Sequence, residues 1–108
     1  MANEQAMSSV LMTHAEGLHA RPSVKLTKLA KTFDSRIELG AGDGGTWIDA
    51  KSIVKVMATK AAGGTVLHFR AEGADAELAV RTLAGLVERD FDEAPAGGSG
   101  EVVRAGTG

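Results

Sequence analysis

"EGLHARPSVKLTKLAKTF", residues 16–33, passes from a loop into a helix, and the spacing inside it decides how the rest of the chain is read. Leu26, Leu29, Ala30 and Phe33 recur at i, i+3, i+4 and i+7, one face of a helix expected over 20–33. Arg21, Lys25, Lys28 and Lys31 fall on the other face, which by itself describes an ordinary solvated surface. Pro22 stands in the first turn, where a missing N–H is harmless and a fixed φ favours helix. Gly17 lets the preceding loop approach a neighbour closely or take a positive φ. His19 therefore stands where loop becomes helix, with Arg21 beside it.

Working outward, "SSVLMTHA" (8–15) has the apolar content of a first strand, and polar residues 1–7 are expected to be loose. "DSRIELG" (34–40) alternates, with Ile37 and Leu39 on one side. "AGDGG" (41–45) then supplies a reversal before "TWID" (46–49), which makes a hairpin. In "KSIVKVMATK" (51–60), Ile53, Val56 and Met57 have helical spacing and Ser52 is suited to capping the free N–H groups; "AAGG" ends the element. "TVLHFRA" (65–71) alternates again, with Leu67, Phe69 and Ala71 on one face. A last helix is expected over about 74–91 on a stripe of Ala76, Ala79, Val80, Leu83, Leu86 and Val87. The order βαββαβα predicts a small α+β sandwich, with helices covering one face of a mainly antiparallel sheet. The domain is expected over 8–93, and "APAGGSGEVVRAGTG" (94–108) has the composition of a flexible tail or linker.

Composition narrows the functions. A chain of 108 residues that is 44% hydrophobic and 24% charged suits one folded domain. Its 12 basic against 14 acidic residues, a net charge of −2, argue against general nucleic-acid binding. There is no cysteine, so disulfides and thiol nucleophiles are excluded. No apolar run approaches the about 18 residues a membrane span needs, and "MANEQAMSSVLM" lacks a signal-peptide pattern. A cytoplasmic protein without membrane insertion is expected. His14 and His68 lack a metal-ligand pattern around them, and neither metal nor cofactor is expected. "GAGDGG" lacks the Lys-Ser/Thr ending of a nucleotide loop, and Ser52 with Lys55 spells S-x-x-K without the accompanying acylase motifs.

Neutral imidazole is nucleophilic near pH 7, so a histidine can accept a phosphoryl group and pass it on. That group carries close to two negative charges. A helix start offers free N–H groups and a partial positive charge, and Arg21 adds a planar cationic fork suited to phosphate oxygens. A plainer reading, in which His19 caps the helix and Arg21 solvates the surface, remains open on the residues alone. A hydrolase or acyltransferase using His19 as base finds no coherent serine or carboxylate partner.

"GLHARPSV" (17–24) together with "DAKSIVKVMA" (49–58) resembles the HPr family, the phosphocarriers of the bacterial phosphotransferase system, over roughly residues 8–92. The resemblance implies an open-faced β-sandwich with three helices. It implies that His19 takes a phosphoryl group on Nδ1 from phosphorylated enzyme I and yields it to an enzyme IIA domain. Arg21 and the N–H groups of Ala20 and Arg21 would cradle the group. Lys25, Lys28 and Lys31, with Ile53, Val54 and Met57, would form the partner-binding surface, the methionine suiting an adaptable interface. Ser52 matches a serine that a dedicated HPr serine kinase/phosphorylase modifies in many members, although a plain N-cap explains it equally well. The resemblance implies a monomeric relay rather than a turnover enzyme. The sequence departs from the family in its glycine-rich hairpin, in Ser23 where a small alanine-like residue is common, and in Lys55 where glycine is frequent. The extension past the last helix leaves open a module of a multidomain phosphotransfer protein, and Ser52 a mainly regulatory one.

Overall fold

The computed structural model describes residues 4–43 and 45–92. Strand β1 spans Glu4–Leu11, helix α1 Ala20–Ala30, strands β2 Arg36–Ala41 and β3 Ile48–Asp49, helix α2 Ile53–Ala58, strand β4 Val66–Gly73 and helix α3 Ala76–Glu88. The strands form one sheet in the order β1-β4-β2-β3, and every pairing is antiparallel. This is the βαββαβα open-faced sandwich expected from the sequence.

β1 corrects the expectation of a loose start for residues 4–7, while residues 1–3 lie outside the described residues. Glu4, Gln5, Ala6 and Met7 pair with Gly73, Glu72, Ala71 and Arg70 of β4. An edge strand with one wet face needs inward side chains only at alternate positions, and here they are Ala6, Ser8 and Val10. A strand built this way carries little apolar signal, and it also ends earlier than expected, at Leu11. The glycine-rich segment 94–108 lies outside the described residues.

The core fills the space between the sheet's inner face and the helices. Leu67, Phe69 and Ala71 of β4 point into it as their alternation predicts, beside Ile37 and Leu39 of β2. Leu26 and Ala30 of α1, Val56 of α2, and Ala76, Ala79, Val80, Leu83, Leu86 and Val87 of α3 close the other side. Burying each of the larger side chains contributes about 1.5–3 kcal/mol.

Two helices end sooner than expected. α1 stops at Ala30, where the Lys31 N–H donates to the Thr27 carbonyl and the Thr32 hydroxyl to that of Leu29; Phe33 still packs on the core from the following turn. α3 stops at Glu88. Asp90, Phe91 and Asp92 then adopt left-handed backbone with φ of 52°, 59° and 59°, a turn that leaves the Phe91 ring fully buried.

Candidate functional site

The segment 12–19 joins β1 to α1, and its shape follows from contacts at both ends. The Leu18 N–H donates to the Ala61 carbonyl at 2.9 Å, seating the loop on the chain just after α2. Gly17 has φ +71°, and a Cβ there would come within 2.1 Å of the Ala61 oxygen, so only glycine fits. Ser23 is fully buried, and its hydroxyl donates to the Leu18 carbonyl at 3.2 Å while its N–H donates to the His19 carbonyl at 3.0 Å. A buried hydroxyl without such a partner would cost about 1–3 kcal/mol. Ser23, in place of a small apolar residue, thus braces the turn that carries His19.

His19 is the N-cap residue of α1, with extended backbone (φ −92°, ψ −162°), and its side chain makes no capping bond. Ala20 and Arg21 are the next two residues. Their N–H groups belong to the helix's first turn, where no intrahelical carbonyl can reach them, and Pro22 has no N–H to leave unsatisfied. The imidazole is 42% exposed, and its Nε2 lies 2.6 Å from Glu16 Oε1. That contact is close but off the line of a ring N–H hydrogen bond, and Nε2 is shut off from solvent. Arg21 is exposed.

The structure adds neighbours that the sequence did not single out. His14 packs 5.9 Å from His19, ring centroid to centroid, and edge-on to Phe91 at 5.7 Å. The Thr13 hydroxyl donates to Asp90 Oδ1 at 2.8 Å. Lys25, expected in a solvated row, is half-buried and donates to the Phe91 carbonyl at 2.9 Å; Lys28 and Lys31 are exposed. The left-handed turn after α3 is therefore pinned to the loop and the helix that carry His19. Across the turn, Arg89 bonds Asp92 at 2.7 Å and holds that carboxyl below its usual range.

On α2, Ser52 caps the helix, its hydroxyl oxygen accepting the Lys55 N–H at 3.3 Å. Ile53 is half-buried, Val54 is 73% exposed and Met57 39%, while Val56 alone of this helix faces the core. Because Leu18 is bonded to Ala61, the end of α2 and the His19 loop adjoin on one surface. A recess of about 960 Å³ lies elsewhere, between the hairpin and the outer side of α2, lined by Arg36, Glu38, Trp47, Lys51 and Lys55 among others. None of His19, Arg21 or Ser52 lines it. A group that must pass between proteins needs an open surface, and His19 has one. Among the described residues no helix is long and apolar enough to cross a membrane, and no three His, Asp or Glu side chains group to hold a metal ion.

An open-faced sandwich with a histidine at a helix start is compatible with a small phosphocarrier, and the comparisons place the chain in that class. A sequence model described as "PTS HPr component phosphorylation site" matches residues 7–89. The chain belongs to the HPr family of phosphocarriers of the phosphotransferase system. It is 37% identical to the phosphocarrier protein HPr of Xylella fastidiosa over 84 residues, 78% of this chain and 92% of that one. It is 40% identical over 81 residues to the multiphosphoryl transfer protein of Vibrio cholerae, 74% of this chain but only 20% of that much longer protein. Among solved structures, HPr-C-His of Thermoanaerobacter tengcongensis superposes with a TM-score of 0.75 at 32% identity, covering 82% of this chain and 97% of that one.

Proposed function

We propose that His19 is the phosphoryl acceptor, taking the group from phosphorylated enzyme I and yielding it to a histidine on an enzyme IIA domain. The observation that carries the reading is the placement of a half-exposed, non-capping imidazole at the N-cap of α1, with Arg21 two residues on. Negative charge arriving there meets the helix's N–H groups at Ala20 and Arg21, its partial positive charge and a guanidinium. The helix N–H groups are in place before transfer and need no reorganisation. They are also exposed to water, which keeps the phosphohistidine from being held too tightly to pass on.

Val54 and Met57, with Ile53 partly exposed, form the apolar part of the docking surface, and Lys28 and Lys31 extend the Arg21 side of it toward acidic partners. Lys25 contributes to holding the site rather than to the rim of the interface, as its bond to Phe91 supports. The protein works as a monomeric relay in the cytoplasm and not as a turnover enzyme. Phosphorylation of Ser52 by a serine kinase is a second level of control: a phosphate would add up to two charges beside exposed Val54 and oppose docking of an apolar or acidic partner. The likeness to part of the Vibrio protein favours, as a second architecture, service as one module of a larger phosphotransfer chain.

The test is incubation with phosphoenolpyruvate and the cognate enzyme I. One acid-labile phosphate per chain is expected, and none on His19→Ala. A wild-type chain that stays unlabelled under these conditions sinks the reading.

A further inference from the structure

We infer that Glu16 is a positioning residue for His19, its carboxylate holding the ring proton on Nε2 so that the Nδ1 lone pair faces the incoming phosphoryl group. The inference rests on the proposal that His19 is the acceptor, and it names what prepares that imidazole.

The geometry separates the two ring nitrogens. Nε2 is closed off from solvent and sits 2.6 Å from Glu16 Oε1. A carboxylate oxygen this close repels a bare nitrogen lone pair and attracts a ring N–H, so the Glu16 charge favours the proton on Nε2, a through-space bias that acts although the contact lies off the N–H line. A neutral imidazole carries one proton, so placing it on Nε2 leaves Nδ1 as the nucleophile. The covered nitrogen could not meet a donor protein in any case. His14 also lies beside the ring, 5.9 Å away between centroids, and Arg21 stands two residues on in the first turn of α1. The contact at Nε2 itself is that of Glu16 Oε1, at 2.6 Å.

Glu16 is exposed, with 70% of its side chain in solvent, yet its backbone is fixed. Its N–H donates to His14 Nδ1 at 3.3 Å, and the next residue is Gly17, wedged under Ala61 with φ +71°. The Gly17 N–H in turn donates to the His14 carbonyl at 3.1 Å. A tight turn over residues 14–17 therefore aims the carboxylate at His19, and fixing the direction of an imidazole through its second nitrogen is an effective use of a carboxylate.

The transfer step balances without moving a proton. The Nδ1–P bond forms as the bond from phosphorus to the donor's leaving atom breaks, and that atom keeps the electron pair. The His19 ring, still protonated on Nε2, takes on the positive charge, which the Glu16 carboxylate faces. Handing the group on reverses these changes, and the protonated ring departs from phosphorus as neutral imidazole.

The test uses the whole chain with ¹⁵N-labelled histidine and phosphoramidate as a small donor, so that no protein partner enters. Wild type is expected to show His19 as a single tautomer, Nε2 protonated and Nδ1 bare, by the ring ¹⁵N shifts at alkaline pH. Glu16→Ala should move both shifts toward a mixture of tautomers and slow phosphorylation by about tenfold, the lower end for losing a partner that orients a histidine. Glu16→Gln, which keeps an acceptor oxygen without the charge, should fall between. Phosphorylation of wild type and Glu16→Ala at equal rates with identical ring shifts would overturn the role of Glu16 alone. A wild-type His19 that takes no phosphate overturns the acceptor reading beneath it.

Discussion

His14 and His19 are five positions apart in the chain and their rings stand 5.9 Å apart, the first of them wedged edge-on against Phe91. Through this contact the end of the last helix braces the loop that carries the candidate phosphoryl acceptor. His14→Ala removes an aromatic pair and the acceptor of the Glu16 N–H, and should lower stability in urea unfolding by about 1 kcal/mol. His14→Phe, which keeps a ring against Phe91, should recover most of that loss. Equal losses from both would mean that the Nδ1 bond, and not the ring contact, holds the loop.

Gly17→Ala tests how tightly the loop is seated. The new Cβ would meet the Ala61 carbonyl oxygen at 2.1 Å in a backbone with φ +71°. Left-handed strain and the forced displacement together should cost about 2–3 kcal/mol. The Leu18–Ala61 hydrogen bond must lengthen or break as the loop lifts, so hydrogen exchange at the Leu18 amide should quicken more than at amides of β4. Unchanged protection at Leu18 would show that the loop relaxes elsewhere.

Much of this fold is written in local spacing. β4, with Leu67, Phe69 and Ala71 on its inner face, and α3, with its stripe from Ala76 to Val87, follow from periods of two and 3.6 because the side chains that set the pattern are the ones buried. The site was legible in part for a different reason. His19, Arg21 and Pro22 are adjacent in sequence, so a reading of a helix start brings them together unaided. Glu16 and His14 escaped because their role depends on the turn over residues 14–17, and only the left-handed φ of Gly17 hinted at it. Phe91 escaped for a subtler reason. It falls four residues after Val87, so periodicity places it on the buried face of a helix. It is buried, but by a left-handed turn that no hydrophobic pattern distinguishes from another turn of helix.

The docking surface separates from the core within a single helix. Val54 is 73% exposed on α2, whereas Val56 is fully buried two residues on. Val54→Asp should leave stability within about 0.5 kcal/mol of wild type and raise the KM of phosphorylated enzyme I for this chain by about tenfold or more, a loss of about 1.4 kcal/mol in docking. Val56→Ala should do the opposite, costing about 2 kcal/mol of stability while the folded fraction docks normally. Steady-state transfer assays beside urea titrations read both quantities. A KM for Val54→Asp equal to wild type would remove α2 from the interface.

Far from His19, Asp75 ties the start of α3 to the turn after α1. Its carboxylate accepts the N–H of Asp34 at 3.0 Å, the N–H of Ser35 at 2.9 Å and the hydroxyl of buried Ser35. With both oxygens so engaged, its side chain does not cap α3. The Ser35 hydroxyl is the largest influence lowering the carboxyl's pKa from its ordinary 3.8, followed by the Asp34 amide, with partial burial opposing them. The folded state therefore binds this proton less readily than the unfolded one, and stability rises with pH across the interval between the two values. Asp75 contributes fully above 3.8 and loses its contribution as pH falls through the depressed folded value. Asp75→Asn should thus be less stable than wild type at pH 7, and the two urea midpoints should converge as pH falls below 3.8 and through the depressed folded value. Ser35→Ala, which removes the leading cause of the shift, should flatten the acid limb in the same direction. Parallel midpoint curves for wild type and Asp75→Asn through the acid limb would show that the carboxylate's charge adds nothing to these bonds.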